Sequence, residues 1–135
     1  MTDSANRVAS DRITSLQPNE VFVFGSNLEG FHAGGAARQA MNWGAVWGQG
    51  TGLQGQTYAI PTMFHSASDI RPYVDEFIEF ARQHPEKVFL VTEIGCGIAG
   101  FTCKEIAPLF KQAAEVENIR LPRSFRNVLK ENHAG

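Results

Sequence analysis

The chain has 135 residues, 43% of them hydrophobic and 19% charged, with a formal net charge of -2. That length suits one domain with a core of its own, and the charge supplies no basic field for a polyanion, so nucleic acid ranks low among its partners. No apolar run approaches the ~18 residues of a membrane span and the start carries no secretory pattern, so the expectation is a cytoplasmic protein with no membrane partner.

Residues 1–17 are polar and lack a clear period. Thr2-Asp3-Ser4-Ala5-Asn6 reads as a frayed start, and Val8, Ile13 and Leu16 can share one short helix. Residues 1–17 are thus expected to be flexible or briefly helical, 18–130 to form one α/β domain and 131–135 to be loose. Gln17-Pro18-Asn19-Glu20 is a turn. Val21 to Phe24 is a continuous apolar run, as in a strand covered on both faces. A long polar loop follows with Gly25, Gly30, Gly34 and Gly35, then good helix formers from Ala36 to Trp43. Gly44 to Gly55 is a second glycine-rich stretch, and Tyr58-Ala59-Ile60-Pro61-Thr62 reads as a short strand closed by proline.

Asp69 to Arg82 carries the clearest helical stripe, with Ile70, Val74, Phe77, Ile78 and Ala81 on one face. Val88 to Thr92 is a second buried strand. Thr102-Cys103-Lys104-Glu105 matches a capping box ahead of Ile106, Leu109, Phe110, Ala113 and Ala114. Pro108 must delay or bend that helix. Ile119 to Pro122 reads as a short edge strand and Ser124 to Leu129 as a terminal turn of helix. Strands alternating with helices predict an α/β fold with a mainly parallel sheet. Ligands of such sheets sit at the carboxyl ends of the strands, and both glycine-rich turns follow strands.

Those two turns hold the candidate chemistry. Gly25-Ser26-Asn27 leads on to Gly34-Gly35-Ala36-Ala37, and Gly95-Cys96-Gly97-Ile98-Ala99-Gly100-Phe101 follows the second strand. Glycine lets backbone approach a ligand closely, and amides at a helix start can hold an anion. Ser26 and Asn27 either face a ligand or close turns on their own backbone. Gly34 and Gly35 make either a phosphate cradle or a tight turn. Three glycines within residues 95–100, with small Cys96 and Ala99 between them, suit a diphosphate lying along the chain. Phe101 either stacks on a ring or joins the core.

His32 and Glu93 are the titratable candidates: His32 as a base or as a solvated loop residue, Glu93 as a functional carboxylate or the partner of an arginine. Gln49, Gln54 and Gln56 could read a base edge or serve the loop. Trp43 and Trp47 are taken as packing residues. No metal cluster and no cofactor are expected. Cys96 and Cys103, the two cysteines, fit neither a zinc set nor a disulfide framework, and are read as reduced packing residues in preference to a redox pair.

The turn from Gly25-Ser26-Asn27 to Gly34-Gly35-Ala36-Ala37 resembles the first ligand loop of macro domains, and Gly97-Ile98-Ala99-Gly100-Phe101 resembles their second. Gln56-Thr57-Tyr58-Ala59-Ile60-Pro61 would be the strand between them. The resemblance implies a three-layer α/β/α domain over residues 18–130 that binds ADP-ribose or a related nucleotide. It implies that Asn27 contacts the distal ribose, bordered by Gly34 and Gly35. The diphosphate would then lie along Gly97 to Phe101, with Phe101 near the distal ribose. Some members hydrolyse ADP-ribosyl bonds; here a bound water helped by His32 or Glu93 would attack beside a ribose strained by Asn27. The early aspartate with which macro domains grip adenine has no counterpart before Val21, and Asp11 lies too far away. A closer likeness is to small bacterial and phage-encoded proteins. The shared segments here are Val21–Asn27, Gly35-Ala36-Ala37, Gly48-Gln49-Gly50 through Thr62, and Ile94–Phe101. Such proteins often carry a phage tail-sheath label, which leaves a phage-derived structural or interaction module as the alternative reading.

Overall fold

A computed structural model describes residues 8–10, 12–97 and 99–134. The Thr2–Asn6 start, Asp11 and Ile98 lie outside the described residues. Six strands form one sheet: β1 (Val8–Ala9), β2 (Glu20–Ser26), β3 (Gly52–Gln54), β4 (Thr57–Pro61), β5 (Val88–Val91) and β6 (Ile119–Pro122). Their spatial order is β1-β6-β5-β2-β4-β3. Every pairing is parallel except that of β3 with β4. Among the described residues, four α-helices flank the sheet: α1 (Gly35–Ala40), α2 (Arg71–Arg82), α3 (Cys103–Ile106) and α4 (Arg123–Ala134).

The apolar run of β2 explains the layers. Successive side chains point to opposite faces of a strand. Val21 and Val23 enter the larger core with α2, α3 and α4 residues such as Phe77, Ile106 and Phe125. Phe22 and Phe24 enter a smaller core with Ala37 and Ala40 of α1. β2 is thus covered on both faces, as its sequence requires, and the fold is a three-layer α/β/α domain with a mainly parallel sheet.

α2 forms with Val74, Phe77, Ile78 and Ala81 buried, as their spacing predicts. A 3-10 turn at Ala67–Ile70 precedes it, closed by a reciprocal Ser66–Asp69 capping box. The Thr102–Glu105 box caps α3. Pro108 then breaks the pattern: α3 stops at Ile106, and 3-10 turns at Ala107–Phe110 and Gln112–Glu115 continue the path. Ile106, Leu109, Phe110 and Ala113 still reach the core.

Both chain ends differ from expectation. Among the described residues from Val8 to Leu16 there is no helix. Val8 and Ala9 pair with Leu121 and Pro122, while Ile13 and Leu16 pack on the smaller core. The segment has too few apolar positions for a helical stripe, and the free edge of β6 offers backbone partners instead. β6 is therefore an interior strand, not an edge. At the other end α4 runs to Ala134, well beyond Leu129, so 131–134 are helical rather than loose. Phe125 and Val128 are buried at helical spacing and anchor it. Among the described residues, no helix is long and apolar enough to cross a membrane.

Candidate functional site

The sheet reverses its winding at β2. From β2 the chain passes through α1 to β3 and β4 on one side; from β4 it passes through α2 to β5 on the other side. α1 packs on one face of the sheet, and α3, which follows β5, packs on the other. Adjacent strands whose connections leave to opposite faces open a crevice at their carboxyl ends. That crevice falls between the ends of β2 and β5, where both glycine-rich turns begin.

The strand ends are tied down before the loops depart. Thr92 donates its amide and its hydroxyl to the Val23 carbonyl, at 3.1 and 2.8 Å. Thr62 donates its amide to the Ser26 carbonyl at 2.9 Å. Between these anchors lies a cleft of about 470 Å³. Its walls include Gly25, Ser26, Asn27, Gly34 and Gly35 from the first turn and Glu93, Gly95, Gly97 and Ala99 from the second. The structure thus brings most of the expected ligand loops to one place. Phe31, Thr62 and Met63 also line it. Sequence reasoning passed over these three; Thr62 and Met63 follow β4 directly, so the strand-end rule was the signal that could have found them.

Side chains within the turns serve the turns themselves. The Asn27 amide nitrogen donates to the Phe31 carbonyl at 3.1 Å, and its oxygen accepts from the Phe31 amide at 2.8 Å. Of the two readings of Asn27, the local turn is the one formed. The buried Ser26 hydroxyl donates to the Gly50 carbonyl.

His32 is not a solvated loop residue, nor does it line the cleft. It is 2% exposed, edge-on to Phe24 at 5.3 Å, with Nε2 3.1 Å from the Gln49 carbonyl. The apolar ring face of Phe24 draws it under the loop, which removes it from the position of a base facing the cleft. Phe101 and Cys96 also turn inward and pack against the larger core. Gly100 does not line the cleft.

The second glycine stretch explains this arrangement. It interlocks with the first loop instead of presenting base-reading amides. A Cβ at Gly30, where φ is 75°, would sit 2.3 Å from the Gln49 amide nitrogen. A Cβ at Gly50 would sit 2.1 Å from the Asn27 carbonyl. Only glycine permits two backbones so close. The three glutamine side chains serve backbone: Gln49 and Gln54 brace the second stretch itself, and Gln56 ties its end to the turn before β2 and to the start of that strand. Gln54 accepts from the Val46 amide at 2.7 Å and donates to the Gln49 carbonyl at 3.0 Å. Gln49 donates to the Thr51 carbonyl, and Gln56 to the Gln17 and Glu20 carbonyls. Trp43 packs on Phe22 as expected, at 5.0 Å. Trp47 does not pack inward: it is 55% exposed and stacks on the equally exposed Phe31 at 5.6 Å.

Glu93 lies two residues beyond β5 and is exposed rather than in the core. No arginine pairs with it among the described residues; the Ser124 hydroxyl at the start of α4 donates to its Oε2. It is the one titratable side chain among the described residues of the cleft wall. Glu93 and Ala36 also line a second, wider cleft of about 760 Å³ beside the ends of β5 and β6, so the two depressions meet at these residues. Arg12 and Arg123 border the wider one. The glycine-walled cleft offers main chain, an aromatic rim and one carboxylate. That donor set suits a ligand held along its length by backbone groups. No protein-family model, curated protein or solved structure was found to match this chain.

Proposed function

We propose that the glycine-walled cleft binds an ADP-ribose-type nucleotide. The observation that carries this reading is the convergence of both glycine-rich turns on one crevice at the sheet's winding reversal. Its support from sequence is the resemblance of the same two turns to the ligand loops of macro domains. The diphosphate lies along Gly95, Gly97 and Ala99, and a ring of the nucleotide stacks on exposed Phe31. The ligand extends past Glu93 toward the wider cleft, where Arg12 and Arg123 supply positive charge. Hydrolysis of an ADP-ribosyl bond falls to Glu93, because His32 is buried under the loop. Glu93→Gln then keeps the affinity and loses the turnover.

Titration calorimetry with ADP-ribose, against ADP, AMP and NAD, tests the reading. Gly97→Glu is the informative variant, because a Cβ at Gly97 meets nothing within 4 Å. The added carboxylate enters the cleft and repels a diphosphate. Binding selective for ADP-ribose that falls at least about tenfold in this variant supports the reading. No binding to any of the four ligands refutes it.

One observation favours the second reading, a phage-derived interaction module. Phe31, Trp47, Leu28 and Val46 are 55%, 55%, 53% and 49% exposed on the two interlocked loops. Apolar groups clustered at a surface mark contact sites for proteins as well as for ligands. That reading predicts oligomers by light scattering that dissociate in Trp47→Ser, with no nucleotide affinity.

A further inference from the structure

Cys96 and Cys103 are free thiols packed against the larger core, as the sequence reading has them, and the fold also places them side by side. Cys96 lies inside the second glycine turn and Cys103 opens α3, and their sulfur atoms are 3.3 Å apart. Both residues are half-buried, so a small reagent can reach them. The Cys103 thiol faces the Cys96 sulfur, and the Cys96 thiol faces the Ile94 carbonyl at 3.5 Å. We propose that this pair is a thiol–disulfide exchange site, at which a low-molecular-weight disulfide closes a reversible Cys96–Cys103 bond that fixes the second glycine loop.

The geometry leaves a small movement to make. A disulfide needs a sulfur separation of about 2.05 Å, so the two sulfurs must approach by about 1.3 Å. Cys103 is held at the start of α3 by the Thr102–Glu105 capping box. Cys96 is the mobile partner, because its neighbours are Gly95 and Gly97. Gly95 has φ of 80° and Gly100 has φ of 86°, conformations that glycine adopts without strain. Cβ positions at Gly97 and Gly100 meet nothing within 4 Å, so the loop has room to shift. The closed ring spans residues 96–103 and includes Gly97 and Ala99 of the cleft wall.

The exchange balances in two steps. The Cys103 thiolate attacks one sulfur of the reagent. The reagent's sulfur–sulfur bond breaks, one small thiolate leaves and takes up a proton, and a mixed disulfide remains on Cys103. The Cys96 thiol then gives up its proton and attacks the Cys103 sulfur, expelling the second small thiol. Two protein thiols are oxidised and one reagent disulfide is reduced to two thiols. Burial, and then the hydrogen bond shared with Cys103, push the Cys96 thiol above the usual range. The nearby carboxylates of Glu93 and Glu105 push the same way. Cys96 is thereby held as the thiol that resolves the mixed disulfide, not the one that first attacks.

The test needs no nucleotide, so its outcome is independent of the proposed function. The full chain is incubated with glutathione disulfide, quenched in acid and weighed intact. The expected product is about 2 Da lighter than the reduced chain, with no thiol left to alkylate, and dithiothreitol reverses it. Cys96→Ser should stop instead at one glutathione adduct on Cys103. Hydrogen exchange of the wild-type chain reads the consequence: amides of residues 97–101 should exchange at least about fivefold more slowly when oxidised, because an opening loop must now carry the closed ring with it. A wild-type chain that keeps two alkylatable thiols, or that accumulates stable glutathione adducts on both cysteines, overturns the proposal.

Discussion

Replacing Gly50 by alanine tests whether the two glycine-rich stretches hold each other in place. The new Cβ would lie 2.1 Å from the Asn27 carbonyl oxygen and 2.8 Å from that of Leu28. Both are main-chain atoms and cannot rotate away. The Asn27 carbonyl must retreat by more than an ångström, and it currently accepts the Gly30 amide at 3.0 Å. Gly50's own carbonyl, which accepts the Ser26 hydroxyl, must move as well. Overpacking of this kind costs ~1–3 kcal/mol, and a disturbed hydrogen bond adds about 1 kcal/mol. The expected loss is about 2–4 kcal/mol. A chain of this size unfolds with an entropy of roughly 0.28 kcal/mol/K, so the melting midpoint falls by about 7–14 °C. Thermal unfolding followed by circular dichroism measures it. Gly97→Ala is the control: it lies in the other turn, with open space around its Cβ, and should stay within about 0.5 kcal/mol of wild type. A Gly50→Ala protein that melts with the wild type refutes the interlocked-loop reasoning.

Tyr58 is 4% exposed, and burial, then the Glu76 carboxylate, raise its phenol to about 12. A raised folded value means the neutral phenol contributes stability that is complete below pH ~10 and is lost as pH climbs toward 12, about 2–3 kcal/mol in all. Tyr58→Phe should therefore flatten the alkaline limb of stability against pH in that window, and an unchanged limb contradicts the cause. The Asn118 amide nitrogen donates to the carbonyls of Ala81, His84 and Lys87 at 2.9 to 3.0 Å, tying the end of α2 to β6. Asn118→Ala should cost ~1–3 kcal/mol, read as a midpoint lowered by about 4–10 °C. Because Trp47 stacks on Phe31 at the cleft rim while Trp43 packs on the smaller core, nucleotide binding should change tryptophan emission in the wild type but not in Trp47→Phe. Binding seen by calorimetry with unchanged wild-type emission would place the ligand elsewhere.

Much of the sheet was legible because β2 and β5 are buried runs with no competing helical period. α2 was legible for the opposite reason, a strict stripe from Ile70 to Ala81. β1 was not, since two residues carry no period, and Val8 and Ala9 become a strand only when β6 offers them an edge. β3 was hidden for the same reason among five glycines. The location of the cleft was legible too: glycines after strands mark where backbone comes close to something, and sheet topology says which edge. What that backbone comes close to is a different matter. Ser26 finds Gly50 across 24 positions and His32 finds Gln49 across 17. No local spacing encodes such partners. Cys96 and Cys103 were separable in sequence and adjacent in space for the same physical reason, because the turn between them doubles back onto α3.

This allocation of polar atoms changes which experiments are informative. Both amide atoms of Asn27 are committed to Phe31. Asn27→Ala would therefore loosen the loop from 27 to 31 before it removed any ligand contact, and a loss of affinity in that variant would not identify a ribose partner. The Ser26 hydroxyl is committed in the same way, and so is His32 Nε2, whereas His32 Nδ1 is buried without a partner among the described residues. Glycine supplies much of the cleft wall, where there is no side chain to remove. Truncation is thus a poor probe of this site and addition a good one. Gly97 lines the cleft, and a side chain added there is opposed by neither φ nor packing. One added at Gly50 collides with main chain behind the cleft. If the first variant loses ligand without losing stability and the second loses stability, main chain forms the binding surface and the second glycine stretch supports it.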